Sequence, residues 1–184
     1  MSLENEIIDY CKNKNEIEHW VLLKGEYRYK RIITFLKENN IECTWENITY
    51  YIKYDKRILI NSFKYIVFLE EFFKSVLYNK NKDSNIMNYE FSKTLNQYLS
   101  LENKRDFDNM NIELLSTNKE SLIAFRNSVV HNKILLNKTF KGLNLEQMLK
   151  IFKEILPDSY KNGFINDINN CSKNITYNLW HIEL

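Results

Sequence analysis

The chain has 184 residues, 44% of them hydrophobic and 14% aromatic, with three glycines and one proline. That is one domain's length with apolar content for a sizeable core, which excludes wholesale disorder, and it holds too few turn residues for a sandwich or barrel. Lysine and arginine total 26 against 24 aspartates and glutamates, so the net charge of +2 does not by itself mark a nucleic-acid binder; only local clustering of cations would.

In chain order, Met1 to Glu6 is acidic and has no apolar run, so it does not read as a signal peptide. Ser2 is placed to cap a first helix carrying Ile7, Ile8 and Tyr10, followed by a polar break at Lys12-Asn13-Lys14-Asn15. Glu26 to Lys37 reads as a second helix. From Trp45 to about Tyr78, apolar residues recur at Trp45, Ile48, Ile52, Leu59, Phe63, Ile66, Phe73 and Leu77, which predicts a long central helix with a break allowed near Tyr54-Asp55. Asn79 to Asn85 reads as a linker, Tyr89 to Leu101 as a helix, and Asn103 to Asn111 as a loop. Thr117-Asn118-Lys119-Glu120 matches a capping box and predicts a helix over about 118 to 137. Another helix starts at Asn144 and stops at Pro157, and a last, poorly patterned one runs from Asp158 to about Tyr177. The expectation is a single all-α domain over 1–184. No stretch is long and uncharged enough to span a membrane. Cys11, Cys43 and Cys171 lack metal-ligand spacing and read as reduced thiols of a cytoplasmic protein.

The helix predicted over 118 to 137 carries Phe125-Arg126-Asn127-Ser128-Val129-Val130-His131-Asn132. An arginine and a histidine are costly to hold among apolar residues, but one can clamp a phosphate and the other can move a proton near neutral pH. Leu122, Phe125, Val129 and Leu136 share a face expected to pack on the long central helix. Ile123, Val130 and Ile134 form a second stripe, which implies a second packing partner: another helix of this chain, or the same helix of a second copy. A structural alternative pairs Arg126 with Glu70 or Glu71 and buries His131 as a hydrogen-bonded core residue.

Arg-Asn-x-x-x-His-Asn resembles the Arg-x(4–6)-His signature of HEPN domains, in particular their abortive-infection branch. Tyr54-Asp55-Lys56-Arg57-Ile58-Leu59-Ile60 is similar to the Tyr-Asp-Arg/Lys run before the core helix of that branch. The likeness covers about positions 45 to 140 and departs from the common pattern at Phe63-Lys64-Tyr65 and Glu70-Glu71. It implies a HEPN-like helical bundle and metal-independent RNA cleavage at a homodimer cleft. The role it implies is that of a toxin or phage-defence effector, restrained by a protein or small-RNA antitoxin. Within such a site His131 is the residue typed for proton transfer and Arg126 the phosphate fork, with Asn127 assisting. The nucleophile is the ribose 2′-hydroxyl of the substrate, so no metal or cofactor is required.

Candidate RNA contacts are Lys133 and Lys138 after the motif, which read equally as generic surface lysines, and Arg28 and Arg31 in the basic-aromatic run Lys24-Gly25-Glu26-Tyr27-Arg28-Tyr29-Lys30-Arg31, for which the solvated face of a helix is the favoured reading. His19 and His181 read as packing or surface residues. The competing functions are a non-catalytic helical module that binds RNA or protein through the same cleft, and an interaction scaffold.

Overall fold

Residues 2–102, 108–173 and 179–184 are described by the structure, a computed structural model. Among them the chain forms eight α-helices: α1 (Tyr10–Lys24), α2 (Glu26–Glu38), α3 (Trp45–Asn81), α4 (Phe91–Leu99), α5 (Ile112–Thr117), α6 (Lys119–Val130), α7 (Leu145–Ile155) and α8 (Asp158–Asn169). The described residues hold no strand beyond an isolated bridge between Phe140 and Leu143, so the expected all-α class holds. None of these helices is long and apolar enough to cross a membrane.

The predicted central helix is α3. Its start is set by Thr44, whose side-chain oxygen accepts the Asn47 amide at 3.2 Å, and it ends where Lys82 turns left-handed at φ 56°. Its 37 residues extend about 55 Å, and α1, α2, α4, α6 and α8 all pack against it. No break occurs at Tyr54-Asp55. Tyr54 is fully buried and its hydroxyl accepts the Ile182 amide at 2.7 Å, while the Tyr51 hydroxyl donates to the Trp180 carbonyl at 3.0 Å. Both tyrosines therefore tie the end of the chain to the helix. On the other side of the core, Phe125 of α6 meets Phe140 and Phe152 edge-on, and Phe152 meets Phe164 of α8 in the same way.

Several element boundaries differ from the sequence reading. The first predicted helix is only a 3-10 turn over Leu3–Asn5, and Ser2 makes no side-chain cap. Ile7 is buried but Ile8 is 70% exposed. The polar stretch from Lys12 to Asn15 lies inside α1, where it leaves a kink at Asn13 (φ −117°). Only Tyr10 and Ile17 of α1 are buried, so the sequence offered no apolar stripe to detect. Residues 84–88 form a 3-10 turn, and α4 starts at Phe91 rather than Tyr89. The loop reading of 103–107 and the helix reading of 174–177 lie outside the described residues; α8 itself ends at Asn169.

The motif helix starts at Lys119, close to the predicted 118, after a separate six-residue α5, but it is shorter than predicted because it stops at Val130. The Thr117 capping box does not form: the Thr117 hydroxyl donates back to the Glu113 carbonyl at 3.0 Å. At the other end the Lys133 amide bonds the Ser128 carbonyl (2.9 Å) and the Asn132 amide bonds the Val129 carbonyl (3.1 Å), with Asn132 at φ 53°. This is a Schellman termination with asparagine in the left-handed position. Leu136 therefore joins Leu122, Phe125 and Val129 in the core from the following loop, not from the helix.

Candidate active site

Arg126 sits on α6 where that helix packs against α3. Its Nη2 donates to Glu70 Oε2 at 2.9 Å, its Nε donates to the same oxygen at 3.3 Å, and its Nη1 reaches Asn127 Oδ1 at 3.3 Å. Lys74 Nζ takes the other Glu70 oxygen at 2.9 Å, and the guanidinium lies 5.6 Å from the centre of the Phe91 ring. Burial alone would raise the Glu70 carboxyl, but the hydrogen bonds from Lys74 and Arg126 outweigh it and hold it below its ordinary value. The guanidinium is therefore fixed in orientation. Of its five N–H groups, one on each Nη has no partner among the described residues. Arg126 remains about one-fifth exposed, so those two can reach a ligand.

His131 occupies the cap position of the same helix. Its backbone amide donates to the Asn127 carbonyl at 3.2 Å, and its imidazole is exposed, with no hydrogen-bond partner among the described residues. The structural alternative is thus split: its Arg126–Glu70 pair is present, and its buried histidine is not. Asn127 is exposed and bonds Arg126 rather than the imidazole.

The loop after His131 is held from two helices. Asp55 Oδ1, fully buried on α3, accepts the amides of Leu135 and Leu136 at 2.8 Å each. Arg28 Nη2 donates to the Asn132 carbonyl (3.1 Å), Lys56 Nζ to Asn132 Oδ1 (2.9 Å), and Arg31 Nη2 to the Asn137 carbonyl (2.6 Å). Burial pushes the Asp55 carboxyl up to about 6, against the two amides and the guanidinium of Arg28, 3.9 Å away.

The predicted RNA contacts divide accordingly. Arg28 and Arg31 each spend a donor on the loop, so the basic-aromatic run of α2 is neither a bare RNA surface nor simply a solvated face. Lys138, half-buried, is held below its usual value by burial and by the nearby charges of Lys133 and Arg31, so these three cluster. Arg28 instead lines a cavity of about 490 Å³ together with Lys24, Lys53, Lys56, Arg57 and Asn132. Sequence reading missed this basic wall, although Lys53, Lys56 and Arg57 lie at i, i+3 and i+4 on one helical face. His19 stacks edge-on against Trp20 at 5.4 Å, and His181 bonds the Leu179 carbonyl and Glu183. Both are exposed and neither lines the basic cavity.

Beside the motif, α3 carries a stripe at alternating four- and three-residue steps, with Ile60 and Phe63 exposed and Lys56, Val67, Glu70 and Lys74 half-buried. Lys56 touches Asn132 at one end and Glu70 touches Arg126 at the other, so the stripe runs antiparallel to α6. Ile60 is 56% and Phe63 44% exposed, and Val130 on α6 is 37% exposed. Of the predicted second stripe of α6, Ile134 is buried and Ile123 half-buried, leaving Val130 at the surface.

No protein-family model, curated protein or solved structure matches the chain.

Proposed function

We propose that this chain is a HEPN-type, metal-independent endoribonuclease acting as a toxin or phage-defence effector, with its site completed at a homodimer cleft. The observation that carries the reading is a pinned guanidinium on α6 with two N–H groups unpartnered among the described residues, and, at the cap of the same helix, an exposed histidine whose imidazole has no partner among them either. In the proposed reaction a base takes the proton of the ribose 2′-hydroxyl, and that oxygen attacks the adjacent phosphorus. The 5′-oxygen leaves with a proton from an acid, and a 2′,3′-cyclic phosphate remains. His131 serves proton transfer, and Arg126 holds the phosphoryl oxygens as charge builds on them. Asn127 supports the Arg126 fork. Two copies meeting across Ile60, Phe63 and Val130 would bring two Arg126–His131 pairs to one cleft, and the exposed apolar stripe supports that assembly. Lys133, Lys138 and Arg31 offer the RNA backbone a cationic approach. A protein or small-RNA antitoxin is the partner such an activity requires.

The second reading, a non-catalytic helical module that binds RNA or protein, is favoured by one observation: the Arg126–Glu70 ion pair gives the arginine a structural use. Incubating the purified protein with labelled tRNA in EDTA, beside His131→Ala, separates the two. The nuclease reading expects cleavage by the wild type alone. Binding without cleavage by both proteins would replace it with the binding module.

A further inference from the structure

We propose that the cleft between the α1–α2 corner and α3 is a binding site for a nucleoside phosphate. Its wall of Lys24, Arg28, Lys53, Lys56 and Arg57 would receive the phosphoryl groups, and the adjoining aromatic cavity the base.

Two cavities meet there. The basic one, about 490 Å³, is lined by those five cations and, among the described residues, by no carboxylate. The second, about 270 Å³, shares Lys24, Ile52 and Lys53 with it and is lined also by Trp20, Tyr29, Trp45 and Glu16. Together they fall in the size range of small-ligand sites.

The cations are positioned mostly by neutral groups. Arg28 donates to the Asn132 carbonyl, Lys56 to the Asn132 side chain, and Arg57 to the carbonyls of Cys171 and Lys173. Such partners fix geometry without cancelling charge. The nearest opposing charge is Asp55, buried 3.9 Å behind Arg28. Lys53 has no hydrogen-bond or ion-pair partner among the described residues. Burial and the charges of Lys53 and Arg28 hold Lys24 below its usual value, as expected where positive charge is left unneutralised. An anion with several phosphoryl oxygens would relieve that repulsion and find preset donors.

The second cavity carries the other half of the ligand. Trp20 is 37% exposed and carries Lys24 Nζ 4.7 Å above its ring, so a base would enter beside that ammonium, while Tyr29 and Trp45, both buried, stack behind the cavity at 5.8 Å and 14°. A heterocyclic base has the flat apolar face such a wall receives, and Glu16 could accept from an exocyclic amine. The same chemistry is offered by a free nucleotide and by a nucleotide of an RNA strand. Because Arg28 and Lys56 also hold Asn132, next to His131, occupancy would be felt at the motif.

The test is calorimetric titration of the whole protein with ATP, tripolyphosphate, adenosine and a 5′-phosphorylated RNA hexamer. The expected result is saturable ATP binding at one per chain and none for adenosine. Lys53→Glu should weaken ATP at least tenfold. Trp20→Ala should weaken ATP at least threefold while leaving tripolyphosphate unchanged. Both side chains are exposed, so melting temperatures should match the wild type, and Lys53→Ala gives a milder second variant. Displacement of ATP by a tighter-binding hexamer identifies an RNA strand as the source; a hexamer that fails to displace it identifies a free nucleotide. The proposal is overturned if no phosphorylated probe saturates, if the Lys53 variants bind ATP as the wild type does, or if tripolyphosphate equals ATP and Trp20→Ala changes neither. It does not rest on the cleavage reading: His131→Ala, which should silence cleavage, should bind ATP unchanged.

Discussion

Arg126 and His131 differ in what their loss should cost. The His131 imidazole is exposed and has no partner among the described residues, so His131→Ala should leave stability within about 0.5 kcal/mol while lowering cleavage by about a hundredfold or more. Cleavage assays beside urea unfolding check this, and a large stability loss would return His131 to a structural role. Glu70 grips the guanidinium in a pair that is partly exposed on both sides. Glu70→Gln should therefore change stability by no more than about 1 kcal/mol but lower the cleavage rate by loosening Arg126. If stability falls and the rate holds, the pair is structural only. Asp55 answers differently to pH. Its folded carboxyl lies near 6 against an ordinary 3.8, so its favourable contribution is complete below about 4 and is lost as pH rises through 6. Asparagine can still accept both loop amides without carrying charge, so the stability of Asp55→Asn relative to wild type should climb between pH 4 and 7. Asp55→Ala leaves two buried amides without an acceptor and should cost about 2–4 kcal/mol. A flat difference curve for Asp55→Asn would contradict the assigned burial.

At the scale of elements, legibility followed apolar periodicity. α2 and α3 were readable because their buried residues recur at helical spacing, and α3 also begins at the threonine that caps it. α1 was not, since it buries only two residues. The motif helix was extended seven residues too far because Ile134, Leu135 and Leu136 are apolar; they are buried by a loop that Asp55 clamps, and periodicity cannot tell that from a helix. The available stop signal was Asn132, a residue tolerant of left-handed backbone. Replacing Asn132 with alanine should cost about 1 kcal/mol, whereas glycine should be nearly neutral for the turn. Thermal melts of the pair check this, and equal losses would show that the Lys56 contact to the Asn132 side chain, not the turn, dominates the position. In the candidate site, the helix and both candidate side chains, Arg126 and His131, were legible in the sequence. It could not show that Glu70 fixes the arginine or that four further cations converge beside Asn132, because those contacts join residues tens of positions apart.

At the scale of the whole molecule, the exposed stripe of Ile60, Phe63 and Val130 flanks the motif on the face where a second copy would complete the proposed cleft. Phe63→Glu should yield monomers in sedimentation velocity and reduce cleavage together with assembly, while leaving the helical content unchanged. A dimeric and active Phe63→Glu protein would place the interface elsewhere. The most direct test of metal-independent cleavage at Arg126 and His131 is the chemistry of the product ends after RNA is incubated with the protein in EDTA. Cleavage by 2′-hydroxyl attack yields 2′,3′-cyclic phosphate and 5′-hydroxyl termini, absent from His131→Ala reactions and from substrates with a 2′-deoxy nucleotide at the cut. Products with 5′-phosphate ends, or cleavage that survives the 2′-deoxy substitution, would contradict it.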